Sequence, residues 1–214
     1  MNREHIPGII AMATIVVASN ILVQFFVGDW LTWGAFTYPF AFLVTDLMNR
    51  AYGASAARRV VFAGFVVGII CSLIGTQVTV QIAPDFAAPA VTLRIAIGSA
   101  TAFLVAQLVD VSVFDRLREG SWWRAPLAST LIGSTLDTAL FFFIAFSAGA
   151  SGVLGVDHNI DYFNEVVTTP FGPELTRWVG TASVDWCVKV AIALFALIPF
   201  RILVNRALQR QASA

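Results

Sequence analysis

Six long apolar stretches divide the chain, with short polar segments between them. They span residues 6–27, 31–48, 60–82, 91–113, 125–148 and 184–204. A membrane-crossing helix needs about 20 consecutive apolar residues. Because lipid offers no hydrogen-bond partners, each crossing segment must satisfy its own backbone groups, which favours helices. The pattern therefore predicts an all-α integral membrane protein, a single transmembrane domain over residues 1–214 built as a bundle of six transmembrane helices.

Composition supports the membrane class and argues against several functions. Hydrophobic residues make up 58% of the chain and charged residues 12%, whereas soluble domains average about 25% charged residues. The formal net charge is zero, so a lipid bilayer and not nucleic acid is the expected partner. The two histidines, His5 and His158, lie outside the apolar stretches, and no nucleophile elbow, phosphate loop or zinc-helix motif occurs. We therefore expect no enzyme, no metal site and no cofactor.

The basic residues are distributed unevenly among the connecting segments. Ten of the thirteen fall on one predicted side of the bundle: Arg3, Arg50, Arg58, Arg59, Arg116, Arg118, Arg124, Arg201, Arg206 and Arg210. Only Arg177 lies on the other side, while Arg94 and Lys189 lie within apolar stretches. Cytoplasmic loops carry the excess of Lys and Arg. The asymmetry predicts that both termini are cytoplasmic.

Two features of the predicted helices concern their packing. Pro39 lies inside the second stretch, and a proline there removes a backbone hydrogen bond and kinks the helix. Such a break lines a binding cavity in some transporters, although it can equally be a packing kink. Gly64, Gly68, Ser72 and Thr76 recur every fourth residue of the third stretch, a pattern typical of close helix contact. That contact could lie within one chain or between two chains of a homodimer.

Three predicted helices carry polar residues at helical spacing. Asp46 and Asn49 share a face of the second helix, and Gln107 and Asp110 share a face of the fourth. A carboxylate beside an amide suits a planar solute with adjacent donors and acceptors. Asp46 could instead reach interfacial water, and Asp110 could pair with Arg116 or Arg124.

The fifth helix is the most polar of the six. Ser134 and Asp137 lie on one face with Thr130, followed by Thr138 and by an aromatic run that includes Phe141. Asp137 is close to the middle of its span, where a charge is costly unless it faces a cavity or a partner. It is therefore the strongest candidate for a functional carboxylate.

Two cations lie within apolar stretches. Arg94 begins the fourth helix, where it could extend to the membrane surface. Lys189, the only lysine in the chain, lies in the last stretch and could do the same, or it could pair with Asp137 from the neighbouring fifth helix. We treat both as supporting charges.

Four runs of the chain resemble one known family. They are TWGAFTYPFAFLVTDLMNRAYG (32–53), AQLVDVSVFDRL (106–117), STLIGSTLDTALFFFIAF (129–146) and VDWCVKV (184–190). Together they are similar to the bacterial queuosine precursor transporters of the vitamin uptake transporter family. The matching motif positions are Asp46, Arg94, Gln107, Asp110, Ser129, Asp137, Thr138 and Lys189. Many members carry an acidic residue shortly after the position of Asp46, where this chain has Asn49 and Arg50.

The resemblance implies a six-helix, multi-pass transporter of the bacterial inner membrane that imports 7-cyano-7-deazaguanine and its aminomethyl relative. A deazaguanine presents a ring N–H beside an amine, which one carboxylate can accept in bidentate fashion, and a flat face on which aromatic rings stack. We expect the substrate-binding set to be Tyr38, Asp46, Asn49, Gln107, Asp110, Ser134, Asp137, Thr138 and Phe141. One alternative is a substrate-binding membrane subunit that depends on a separate energising complex. Another is a scaffold protein that does not transport.

Overall fold

The structure is a computed structural model that describes residues 3–212, excluding the side chains of residues 3, 82, 83 and 206–212. The terminal residues, and the side chains of Arg3, Arg206 and Arg210 on which part of the predicted topology depends, lie outside the described part. The helices are α1 Ile6–Leu22, α2 Gly34–Thr37, α3 Pro39–Tyr52, α4 Ala54–Gln77, α5 Leu93–Leu117, α6 Arg124–Phe146, α7 Ser151–Leu154, α8 Ile160–Asn164 and α9 Arg177–Ala212. Short 3-10 turns cover Arg3–His5 and Ala148–Ala150.

In the described part of the chain, four helices are long and apolar enough to cross a membrane. They are α4, α5, α6 and the Arg177–Asn205 part of α9. The first predicted span forms a 17-residue helix, and the second is divided between α2 and α3. Four of the six predicted spans are thus confirmed by length and hydropathy, and crossing by the other two stays a prediction.

Three antiparallel hairpins show that the all-α prediction is incomplete. They pair β1 Phe26–Val27 with β2 Leu31–Thr32, β3 Thr79–Ala83 with β4 Phe86–Pro89, and β5 Val166–Thr168 with β6 Glu174–Thr176. The first and third apolar stretches therefore leave the helix before their predicted ends, since Phe26–Val27 and Thr79–Ala83 pair as strands. Gly28, with φ of 64°, supplies the left-handed backbone that the first tight turn requires.

The chain around Pro39 passes from one helix directly into the next. The helix α2 ends at Thr37, Tyr38 keeps helical dihedral angles, and Pro39 begins α3. Proline fits the first turn of a helix because its missing N–H would have no partner there. The predicted interruption therefore falls between two helices, and Tyr38 lies at the junction.

The two ends of the bundle differ in character. The hairpins form one end, called the hairpin end below. The described arginines of the predicted cytoplasmic side, Arg50, Arg58, Arg59, Arg116, Arg118, Arg124 and Arg201, lie at the other, called the arginine end. There the Arg201 guanidinium lies 4.9 Å from the centre of the Trp122 ring.

Polar side chains face inward and apolar ones face outward over much of the bundle. Buried polar residues include Asp46, Asp110, Asp137 and Lys189, whereas Phe62, Ile70, Leu194, Phe195 and Ile198 are exposed on α4 and α9. A protein with so many exposed apolar side chains would aggregate in water, whereas lipid can surround those side chains. The chain is a multi-pass membrane protein.

The stripe of small residues on α4 is used within one chain. A Cβ at Gly64 would lie 2.5 Å from Met12 of α1 and 3.1 Å from Phe103 of α5, and one at Gly68 would lie 3.5 Å from Val16. The glycines therefore let α1 approach α4 closely. A homodimer stays a prediction.

Replacing Gly64 with leucine should loosen this contact. We expect Gly64→Leu to destabilise the protein by about 1–3 kcal/mol, because overpacking forces neighbouring side chains and backbone apart. Thermal unfolding in detergent measures the effect. Gly152→Leu is the matched control, since a Cβ at Gly152 meets nothing within 4 Å. Equal losses in the two variants would contradict the proposed α1–α4 packing.

Candidate transport site

A cavity of about 440 Å³ lies at the hairpin end between the helices. Its rim includes Trp30 and His158 from the connecting segments. Its walls include Tyr38, Phe141 and Phe142, and four charged residues of α6 and α9 also line it: Asp137, Arg177, Asp185 and Lys189. Aromatic rings thus line the cavity beside three of these charged residues, Asp137, Asp185 and Lys189, which are called the charged group below.

Lys189 is held by two carboxylates. Its Nζ lies 2.7 Å from Asp137 Oδ2 and 2.6 Å from Asp185 Oδ2, and it also donates to Thr138 Oγ1 at 3.1 Å. The Thr138 hydroxyl donates to Asp185 Oδ2 at 2.9 Å. Lys189 is only 4% exposed. It therefore pairs with Asp137, and the alternative that it extends to the membrane surface is wrong.

Helix geometry explains why these groups meet. Asp185 and Lys189 are four residues apart on α9, so they share one face. Asp137 and Thr138 project from α6, which packs against α9. Tyr38, at the α2–α3 junction, places its ring 5.5 Å from the Lys189 ammonium, within the range of a cation–π contact. The predicted neighbourhood of the fifth and sixth apolar stretches is confirmed.

Asp185 was not among the predicted site residues. The last span was predicted to begin at residue 184, which placed Asp185 at the membrane surface. The helix begins at Arg177 instead, and Asp185 is 9% exposed. Its spacing of four from the only lysine was the signal in the sequence that could have identified it.

Arg94 lies away from the charged group and holds the end of α6. Its guanidinium donates to the carbonyls of Ile144, Ser147 and Gly155 at 3.2, 2.7 and 2.7 Å, and to Ser151 Oγ at 2.8 Å. A cation is stabilised at the C-terminus of a helix, where carbonyl groups lack partners. At 3% exposure, Arg94 does not extend to the surface.

A second buried polar cluster lies nearer the arginine end. Asp46 accepts hydrogen bonds from Ser129 at 3.1 Å and Thr130 at 3.3 Å, and Asp110 lies beside it. Thr45 donates to Gln107 Oε1 at 2.6 Å. Asp46 and Asp110 are 2% and 0% exposed, so Asp46 does not reach interfacial water. Among the described residues Asp110 makes no ion pair with Arg116 or Arg124.

Several atoms of this inner cluster have no hydrogen-bond partner in the described part of the chain. They are Asn49 Oδ1, Gln107 Nε2, both carboxyl oxygens of Asp110, and Ser134 Oγ. Buried polar groups are nearly always bonded, so unbonded ones call for an explanation. The space beside Asp46 and Thr130 has a volume of about 10 Å³, roughly that of one water molecule. That space is therefore too small for a heterocycle in this conformation.

Phe42 lies between the cavity and the inner cluster. Its ring is fully buried and lies 6.4 Å from the Tyr38 ring, centre to centre. It also packs over Gly133, where a Cβ would lie 2.7 Å from the Phe42 ring and 3.3 Å from Asp110 Cβ. The predicted residues therefore form two groups. Tyr38, Asp137 and Phe141 line the cavity beside Thr138, while Asp46, Asn49, Gln107, Asp110 and Ser134 lie outside its lining.

Lipid-facing helices around a polar, aromatic cavity define the general class, a membrane protein that handles a small molecule. Comparison with known proteins identifies the family. The model of the family described as "Putative vitamin uptake transporter" matches residues 32–204. No solved structure shows a significant match.

Individual relatives indicate the same family. The chain is 36% identical to the "Queuosine precursor transporter" of Escherichia coli (strain K12) over 208 residues, 92% of this chain and 85% of that protein. It is 34% identical to the "Probable queuosine precursor transporter" of Haemophilus influenzae, over 78% of this chain and 66% of that protein. The chain belongs to the queuosine precursor transporters of the vitamin uptake transporter family, whose named relatives are transporters and not enzymes.

Removing the Lys189 ammonium should destabilise the bundle. In Lys189→Met two buried carboxylates lose their cation, and breaking a buried ion pair costs about 3–5 kcal/mol. We expect a clear drop in the thermal unfolding midpoint in detergent, whereas Arg116→Met, at an exposed position, should change it little.

A triple variant tests whether the uncompensated charge of the two carboxylates causes this loss of stability. Adding Asp137→Asn and Asp185→Asn to Lys189→Met removes the uncompensated charges and should restore part of the lost stability. If the triple variant is less stable than Lys189→Met alone, the ion pairs do not explain the effect.

Proposed function

We propose that this protein imports queuosine precursors across the bacterial inner membrane, with 7-cyano-7-deazaguanine or 7-aminomethyl-7-deazaguanine as cargo. Support comes from the names of its relatives and from a buried carboxylate, Asp137, that lines a cavity within the bundle. The second observation carries the proposal, because a carboxylate that is held by Lys189 and still borders a cavity of ligand size is placed to bind a solute.

The proposed topology has six crossings with both termini in the cytoplasm. The helix α1 makes the first crossing, and α2 with α3 make the second, bent at Pro39. The described arginines lie at the arginine end, which the positive-inside rule assigns to the cytoplasm. The hairpin end, and with it the cavity, then faces outward. Cargo would therefore enter from the outer side.

The cavity has the properties that a deazaguanine requires. Its volume of about 440 Å³ lies within the range of about 300–1,000 Å³ that is typical of ligand sites. Asp137 offers a carboxylate that can accept the ring N–H and the exocyclic amine together. Phe141 and Tyr38 offer rings on which the heterocycle can stack. Lys189 holds Asp137 in place and does not itself contact the cargo.

The inner cluster would meet the cargo later in the transport cycle. Asp110 and Asn49 carry unbonded acceptor oxygens and Gln107 an unbonded amide nitrogen, so together they offer acceptors for the donor edge of the base and a donor for its carbonyl. Phe42 separates them from the cavity in this conformation. A rearrangement that moves the Phe42 ring would connect the two groups of residues.

Uptake by reconstituted protein tests the function. The purified chain, placed alone in liposomes, should accumulate or exchange labelled 7-cyano-7-deazaguanine. Asp137→Asn should reduce binding and uptake at least about tenfold, because a hydrogen bond to a charged group contributes roughly 1.5–3 kcal/mol. Asp161→Asn, in the outer connecting segment, is the control and should transport normally.

The outcomes separate the alternatives. Binding without uptake by the purified chain would favour a subunit that needs a separate energising complex. Neither binding nor uptake, together with intact precursor salvage in cells that lack the gene, would favour a scaffold. Unchanged affinity in both Asp137→Asn and Asp110→Asn would overturn the proposed recognition.

A further inference from the structure

The charged group in the cavity is not balanced. One ammonium, Lys189, lies between two carboxylates, Asp137 at 2.7 Å and Asp185 at 2.6 Å. With the side chains in their ordinary charge states, one positive charge faces two negative charges. The group therefore carries one excess negative charge, and all three residues line the cavity.

No other described cation is placed to neutralise this excess. Arg177 also lines the cavity, but it bonds Glu165 at 3.2 Å and stacks 4.3 Å from the Tyr162 ring. Arg94 binds backbone carbonyls and Ser151 and is absent from the lining. The remaining acidic lining residue, Asp29, is exposed in the β1–β2 turn and adds negative charge at the rim.

An unbalanced buried charge in a membrane protein is costly unless a partner supplies the opposite charge. Here the excess faces a cavity that is large enough for a ligand. A ligand that brings its own cation would complete the group, and the aromatic walls would add cation–π attraction. A neutral ligand of the same shape would leave the charge unbalanced.

We propose that the cavity selects a cationic heterocycle, and that Asp185 supplies the excess negative charge responsible. This inference rests on the proposed function, and it predicts which of the two candidate cargoes binds more tightly. The 7-aminomethyl compound carries a primary amine that is protonated at neutral pH, whereas the 7-cyano compound is neutral there. Asp185 thereby becomes a specificity-determining residue: Asp137 and Lys189 alone would form a neutral pair.

Equilibrium binding of the two compounds to the full chain in lipid nanodiscs at neutral pH tests the inference. The unaltered protein should bind 7-aminomethyl-7-deazaguanine at least about tenfold more tightly than 7-cyano-7-deazaguanine, the factor expected for a charge-assisted hydrogen bond. Asp185→Asn should abolish this preference through lost affinity for the aminomethyl compound alone. Retained binding of the cyano compound shows that the variant is folded.

Two further variants test whether the preference depends on the carboxylate at position 185. Asp185→Glu keeps the carboxylate and should keep the preference. Asp161→Asn removes an exposed carboxylate of α8 that does not line the cavity, and it should leave the preference unchanged. Equal affinities for the two compounds in the unaltered protein, or an unchanged preference in Asp185→Asn, would overturn the inference and leave the proposed function intact. Binding of neither compound by the unaltered protein would overturn both.

Discussion

The site depends on the two ion pairs that the Lys189 ammonium makes with Asp137 and Asp185. It joins α6 to α9 within the bundle and fixes both carboxylates beside the cavity. Each of these charges would be costly alone in lipid, so the three residues must stay together. The same requirement keeps Thr138 in position, since its hydroxyl bonds both Lys189 and Asp185.

The two polar regions of the bundle differ in their charge balance. The charged group contains a cation and borders the cavity, whereas Asp46 and Asp110 lie beside each other and Asp46 accepts hydrogen bonds from two hydroxyl groups. Phe42 and Gly133 separate the regions through one close contact. Arg94, in contrast, ties α5 to the end of α6 and to the segment that follows it.

Much of the fold was predictable because apolar runs of about 20 residues have few alternatives in lipid. The pairing of Lys189 with Asp137 was among the alternatives derived from the sequence, since a lone lysine in an apolar run needs a partner.

Asp185 was missed because hydropathy does not locate the start of a helix well. Residues 177–183 are polar enough to resemble a loop, yet the Thr181 and Ser183 hydroxyls donate to backbone carbonyls one turn earlier in the helix. Two of the three described hairpins were missed because Phe26, Val27 and residues 79–82 continue the apolar pattern of the preceding helices. The third, β5–β6, lies in the connecting segment between the last two apolar stretches, where no strand was predicted. The separation of Asp137 from Gln107 and Asp110 depends on the position of the Phe42 ring, which no spacing along the chain reveals.

A structure of the protein with a bound deazaguanine, determined by electron cryo-microscopy in lipid nanodiscs, would test the central claim most directly. Ligand density should lie in the cavity at the hairpin end, with one edge against Asp137 and a flat face against Tyr38 or Phe141, while Lys189 remains between Asp137 and Asp185. Density in a cavity confined to the arginine-end side of Phe42, with Asp137 and Lys189 out of contact range, would contradict it.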